Sequence, residues 1–307
     1  MNQQNPKLSL GPVLYYWDRE TIFDFYSRVE NTSVDIVYLG ETVCSKRRLL
    51  KPRDWLEIAK KLTLAGKEVI LSSMTLIEAN SEVAALKTLC SNTEYMIEAN
   101  DLSAVQLLKG KSFITGPAVN IYNPHSLRAL VKLGLKRWVL PVELSKDTLS
   151  DMQKERPDNV ETEVTVYGRL PLAYSARCFT ARSYDLPKDD CQFKCLDDPD
   201  GLLLSTQEAE KFLILNGIQT QSAKTSNLIL ELDQLMELNV DVLRINPPSK
   251  NIEKIIDIFQ QTLNQQCSAV DANNELQNLM PTGGSCNGYW YGESGMNQHI
   301  QNQEKLC

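Results

Sequence analysis

Residues 34–72 read VDIVYLGETVCSKRRLLKPRDWLEIAKKLTLAGKEVILS. A β-branched run from Val34 to Leu39 is followed by a polar connection containing Cys44. Beyond it, Trp55, Ile58, Ala59, Leu62 and Ala65 recur at helical spacing and share one face. Gly66 then supplies a helix stop, and a second apolar run begins at Glu68. Two short strands joined by an amphipathic helix make a βαβ unit, a crossover that sets neighbouring strands parallel.

The rhythm extends in both directions. Eight strands are predicted at Val13–Trp17, Val34–Leu39, Glu68–Ser72, Tyr95–Ala99, Ser112–Thr115, Arg137–Leu140, Glu161–Tyr167 and Val240–Ile245. The helices between them include Trp55–Ala65, Ser81–Leu89 and Pro124–Leu133, the last opening on a proline suited to a first turn. This pattern predicts an α/β fold, a (β/α)8-type barrel with a cysteine-bearing insertion after strand seven and a C-terminal tail. An open doubly wound sheet is the alternative, because strand order is not written in one sequence. Residues 1–265 form the expected barrel domain, including the insertion 168–226. Residues 266–307, rich in Asn, Gln and Gly, are expected to be a loosely ordered tail anchored by Tyr289, Trp290 and Tyr291.

Hydrophobic residues at 42% and charged residues at 23% suit a globular chain of 307 residues with a sizeable core. The formal charge of -7 comes without a long basic stripe, so no nucleic-acid partner is expected. The first residues are polar, no run approaches the length of a membrane span, and the expected location is the cytoplasm. In a reducing compartment, eight cysteines point to metal ligation rather than disulfides.

Cys178, Cys191 and Cys195 are spaced Cys-x12-Cys-x3-Cys in an Asp-rich segment that reads as loop. Cys44 follows strand two, so it belongs to a βα loop on the barrel's C-terminal face, where the insertion after strand seven also emerges. It is the candidate fourth ligand, and Lys46, Arg47, Arg48, Arg177 and Arg182 flank the set. Thiolate sulfur suits a four-iron, four-sulfur (4Fe-4S) cluster and also zinc. A four-cysteine zinc site usually shows two close pairs, whereas only Cys191 and Cys195 are so spaced here. Cys90 reads as core, Cys286 as a reserve ligand, and Cys307 as terminal. With four protein thiolates no iron keeps an open position, which favours electron transfer or a structural role over Lewis-acid chemistry.

Three stretches carry a resemblance: Ile97-Glu98-Ala99-Asn100-Asp101, Gly116-Pro117-Ala118-Val119-Asn120-Ile121-Tyr122-Asn123, and Tyr174-Ser175-Ala176-Arg177-Cys178. Over roughly residues 8–265 the chain resembles the collagenase-like peptidase family. Many members carry a His-Gly-Ala-Leu-Cys run where this chain has Tyr167-Gly168-Arg169-Leu170-Pro171, so Pro171 replaces a family cysteine. A branch serving ubiquinone biosynthesis compensates with a cysteine after strand two and a Cys-x3-Cys pair, which Cys44, Cys191 and Cys195 match. Leu215-Asn216-Gly217-Ile218-Gln219-Thr220 is also similar to that branch.

The resemblance implies one 4Fe-4S cluster on Cys44, Cys178, Cys191 and Cys195. It further implies oxygen-independent hydroxylation of an aromatic quinone precursor, prephenate as hydroxyl donor, and a homologous partner in a heterodimer. The alternatives are a non-catalytic, metal-stabilised partner subunit and an RNA-base hydroxylase. Proteolysis is disfavoured, because His125 and His299 stand in no metalloprotease helix and near no nucleophile elbow. Asn100, Asp101, Asn120, Tyr122 and Asn123 fall on the C-terminal face as substrate-orienting candidates, although Asp101 and Asn123 also suit helix caps or turns.

Overall fold

The computed structural model describes residues 5–299. In chain order its elements are β1 (Lys7–Leu10), α1 (Arg19–Val29), β2 (Ile36–Leu39), α2 (Pro52–Leu64), β3 (Glu68–Ser72), α3 (Asn80–Cys90), β4 (Met96–Ala99) and α4 (Leu102–Leu107). There follow β5 (Phe113–Thr115), α5 (Pro124–Val131), β6 (Leu135–Val139), α6 (Lys146–Lys154), β7 (Glu161–Tyr174) and α7 (Phe179–Ser183). The chain continues through β8 (Leu202–Ser205), β9 (Lys211–Asn216), β10 (Gln219–Asn227), α8 (Leu232–Glu237), β11 (Val242–Ile245), α9 (Ile252–Leu263), α10 (Ala269–Leu279) and β12 (Ser285–Cys286).

Strands β1 to β7 pair in sequence order, each parallel to the next. β11 then pairs in parallel with both β7 and β1, with Val242 opposite Glu163 and Lys7, and the ring closes. This is a (β/α)8-type barrel. The quoted unit shows why its parts form: Pro52 starts α2 without losing a helical bond, and the Asp54 carboxylate accepts the Lys51 N–H at 2.8 Å. Ile58, Ala59 and Leu62 bury its inner face, the two larger side chains each worth ~1.5–3 kcal/mol as an upper bound.

Two apolar layers result. The larger lies between the barrel and its helices, around Phe25, Tyr26, Trp138 and Phe259. The smaller fills the barrel interior with Ile36, Tyr38, Ile70, Ile114, Val139 and Val242.

The first expected strand is displaced. Val13–Trp17 is a buried loop, and the strand is Lys7–Leu10. Pro12 has no N–H to continue the ladder, and the aromatics fold over the strand end, with Trp17 against Phe25 at 5.2 Å between centroids. An apolar run buried on both parities satisfies a loop packed on the core as well as a strand.

The insertion is more ordered than its composition suggests. β7 runs beyond the barrel to Tyr174, and its extension pairs antiparallel with β10, which pairs with β9, which pairs with β8. The apolar run Phe212–Ile218 is thus most of β9 and its turn. The segment expected to be loose also holds structure: α10 packs against α9, and β12 pairs with β10. The anchoring role of the aromatics is visible in Trp290, which is buried and donates to Gln234 Oε1 at 3.1 Å. Cys307 lies outside the described residues.

Candidate metal centre and the barrel-mouth cavity

Cys44, Cys178, Cys191 and Cys195 line one cavity of about 20 Å³, together with Arg47, Thr180 and Gly217. Each thiol arrives on a differently built piece of backbone. After β2, the Glu41 carboxylate accepts the N–H groups of Val43 and Cys44 at 2.8 and 2.9 Å, which forms the turn presenting Cys44. Cys178 caps α7, its sulfur accepting the Ala181 N–H at 3.4 Å. Cys191 and Cys195 flank a turn in which Gln192 and Phe193 both hold positive φ, 48° and 52°. Neither residue is glycine, so the turn stores ~1–2 kcal/mol per residue, the kind of strain that persists where a site demands it.

Polar contacts hold the two segments together. Lys46 Nζ donates to Lys188 O at 2.7 Å and Asp189 Oδ1 at 2.8 Å, and Lys188 Nζ donates to Ala176 O at 2.7 Å. The β9–β10 turn docks on α7, where the Gly217 N–H reaches Thr180 Oγ1 at 2.9 Å. Leu14, Val43 and Ile218 form an apolar wall against which Cys44 and Cys178 pack.

Of the five flanking cations, Arg47 is buried, whereas Arg48, Arg177 and Arg182 are exposed. Its Nη1 donates to Leu14 O at 2.8 Å and its Nη2 to Asn216 Oδ1 at 2.7 Å. The guanidinium also lies against the Cys195 sulfur, and its Nε is buried without a hydrogen-bond partner. Burial pushes the Cys44 and Cys195 thiols up, with Arg47 partly offsetting the effect at both.

The donor set fits an anionic, sulfur-bridged group: four soft ligands, a buried cation and an orphaned N–H that needs an acceptor. Among the described residues, no three His, Cys, Asp or Glu side chains converge as ligands of a single metal ion.

The other cysteines lie elsewhere. Cys90 is buried in α3, and Cys286 in β12 lines a separate small cavity with Trp290. Pro171 lines a third.

That third cavity, about 270 Å³, opens at the C-terminal ends of the barrel strands. Arg244 and Glu98 line it and continue a buried charge network. Arg244 Nη2 donates to Glu98 Oε1 at 2.8 Å and its Nε to Glu163 Oε1 at 2.7 Å. Ser9 and Tyr38 also donate to Glu163, at 2.6 and 2.5 Å, and Arg137 joins Tyr38 to Glu161 and Glu68 at the opposite end. Burial alone would raise the Glu163 carboxyl, but Arg244 and Arg137 outweigh it and hold it below the usual carboxylate range.

Of the polar candidates, Asn100 and Asn120 line this cavity. Gly116 makes room for the first, since a Cβ there would stand 1.8 Å from Asn100 Oδ1. Asp101 and Asn123 are helix caps, accepting the N–H groups of Ser103 and Ser126. Tyr122 is turned outward and donates to Glu143. Sequence reasoning missed Glu98, Arg244, Thr42 and Thr165 as cavity residues, and the last two carry buried hydroxyls without partners. Neither His125 nor His299 lines either cavity.

The family model described as Peptidase family U32 matches residues 25–299. Every lining residue of the cysteine cavity falls within that range, as do those of the barrel-mouth cavity other than Pro12 and Leu14. Among curated proteins, the tRNA hydroxylation protein P of Haemophilus influenzae is 34% identical over 76 residues, which is 25% of this chain and 16% of that protein. The U32 peptidase Mk0906 superposes with a TM-score of 0.45 at 12% identity, over 81% of this chain and 96% of that one. The spore cortex-lytic enzyme SleL of Bacillus megaterium gives 0.44 at 10%, over 84% and 74%.

Proposed function

The chain belongs to peptidase family U32, and from that premise we propose that it is a UbiV-type iron–sulfur subunit for oxygen-independent hydroxylation in ubiquinone biosynthesis. Cys44, Cys178, Cys191 and Cys195 would hold one 4Fe-4S cluster, and a homologous UbiU-type protein would complete a heterodimer. The observation that carries this reading is the meeting of four thiols from two distant chain segments in one cavity beside a buried Arg47. The resemblance in which Pro171 replaces a family cysteine and Cys44 compensates supports the ubiquinone branch.

When bound, the cluster would supply one-electron transfer, with every iron closed by a protein sulfur. The residues around it would hold it: Arg47 lies beside Cys195 with its Nε unpaired, the Ala181 N–H donates toward Cys178, and the apolar wall packs against Cys44 and Cys178. The barrel-mouth cavity is the place for an aromatic quinone precursor or for prephenate. Its lining includes the apolar Pro12, Leu14, Pro117 and Val142 and the polar Asn100, Asn246 and Arg244. No base or nucleophile is assigned.

The test is anaerobic purification followed by iron, sulfide and zinc analysis. The reading expects about four irons and four sulfides per chain, and an absorption band that bleaches with dithionite. Stoichiometric zinc without sulfide would refute it and leave a metal-stabilised partner subunit. A second reading, hydroxylation of an RNA base, is favoured by the relative named for tRNA hydroxylation. Co-purification with RNA instead of a homologous protein would select it, whereas hydroxylated quinone intermediates lost in an anaerobic deletion strain would select the first.

A further inference from the structure

The two cavities are joined by buried polar side chains that neither site needs by itself. Arg47 Nη2 donates to Asn216 Oδ1 at 2.7 Å, Asn216 Nδ2 to Gln219 Oε1 at 3.0 Å, and Gln219 Nε2 to the Tyr174 hydroxyl at 2.6 Å. Arg47 lies against Cys195 at one end, and Tyr174 lines the barrel-mouth cavity at the other. All three bonds point the same way, from the cation outward. Arg47, Asn216 and Gln219 are buried.

Two further details hold the chain of donors in place. Leu14 O accepts from both Arg47 Nη1 and Asn216 Nδ2, which fixes their separation. Gly217 has φ +66°, and a Cβ there would stand 3.0 Å from Arg47 Nη2, so glycine lets the turn sit against the guanidinium without strain or displacement. Aligned hydrogen bonds polarise one another in a low-dielectric interior, and hydrogen bonds to cluster sulfurs adjust reduction potential.

We infer that Arg47, Asn216, Gln219 and Tyr174 form a one-directional hydrogen-bond relay through which the barrel-mouth cavity and the thiol site sense each other. Arg47 is its positioning residue. The inference rests on the iron–sulfur reading above. A ligand that engages the Tyr174 hydroxyl changes how strongly Gln219 and Asn216 hold Arg47, and therefore how much of its charge reaches Cys195. Loss of Arg47 removes a cation from an anionic site and destabilises the reduced form more than the oxidised one.

The experiment is a dye-mediated anaerobic redox titration of the full chain loaded with iron and sulfide. Arg47→Gln is expected to lower the reduction equilibrium constant about tenfold, ~59 mV for one electron. Tyr174→Phe loosens the hold on Arg47 and is expected to raise that constant about twofold. Arg182→Ala, an exposed and screened cation, is expected to leave it unchanged. A loaded Tyr174→Phe protein with an unaltered potential would overturn the relay, and so would Arg182→Ala matching Arg47→Gln. If Arg47→Gln does not load, the Tyr174→Phe result decides alone. A wild-type chain without iron and sulfide would overturn the reading and the relay together, whereas the other failures leave the reading intact.

Discussion

The barrel interior and the cysteine cavity are both buried and both polar, yet they are built on opposite plans. Inside the barrel, Glu163 receives Arg244, Ser9 and Tyr38, and Arg137 answers Tyr38, Glu161 and Glu68, so each charge has its counter-charge within the chain. Around the cysteines, Arg47 has a counter-charge in Glu41 at 3.7 Å, but its Nε has no hydrogen-bond partner, and the Cys191–Cys195 turn stores positive φ at two side-chain-bearing residues. The first network holds the fold together. The second holds backbone strain and an unpaired donor beside the sulfurs.

Removing one charge from the barrel network should therefore hurt most. Glu163→Gln leaves Arg244 and Arg137 facing each other without their shared carboxylate, and the expected loss is ~3–5 kcal/mol, read from urea unfolding. The same carboxylate sets a pH dependence. Its folded pKa is depressed, so its contribution is present above the unfolded carboxylate range near ~4.3 and is lost as pH falls through the folded value. Urea midpoints should fall between pH 6 and pH 3, and the Glu163→Gln protein should show a flatter profile.

Gly217→Ala should cost less, ~1–2 kcal/mol for an alanine at φ +66°, while displacing Arg47. Smallest of all should be Cys178→Ala in the metal-free chain, below ~1 kcal/mol, because its sulfur contributes one long N–H contact. In the loaded protein that same change should remove most of the iron and sulfide. A metal-free Cys178→Ala protein as unstable as Glu163→Gln would erase the contrast between the two regions. Cys44→Ala retaining its full iron would sharpen it differently, by showing that the fourth thiol is another one.

Much of the barrel was legible because parallel strands buried on both faces are apolar runs, and seven of the eight fell where the runs lay. Val13–Trp17 misled because burial and strand pairing produce the same local composition. The cysteine segments were legible from spacing, but their meeting with Cys44 depends on closure of the ring. The charge network was missed although each member left a trace. Glu98, Arg137, Glu163 and Arg244 each interrupt a barrel strand, and a charge there needs a partner from another strand. What no local pattern supplies is which strand, since Glu98 and Arg244 lie 146 residues apart.

The closing strand has a consequence for the order of events during synthesis. Along the open sheet, β2 and β7 are separated by four intervening strands, and only β11, pairing with β7 and β1, brings the two ends around. Cys44 follows one of those strands and Cys178 the other. A ribosome that has delivered residues 1–200 has already released all four cysteines of the cavity, but the polypeptide that gathers them has yet to emerge. The thiol site is thus expected to close late in translation, once the segment Val242–Ile245, which contributes no sulfur to it, has joined the two ends of the sheet.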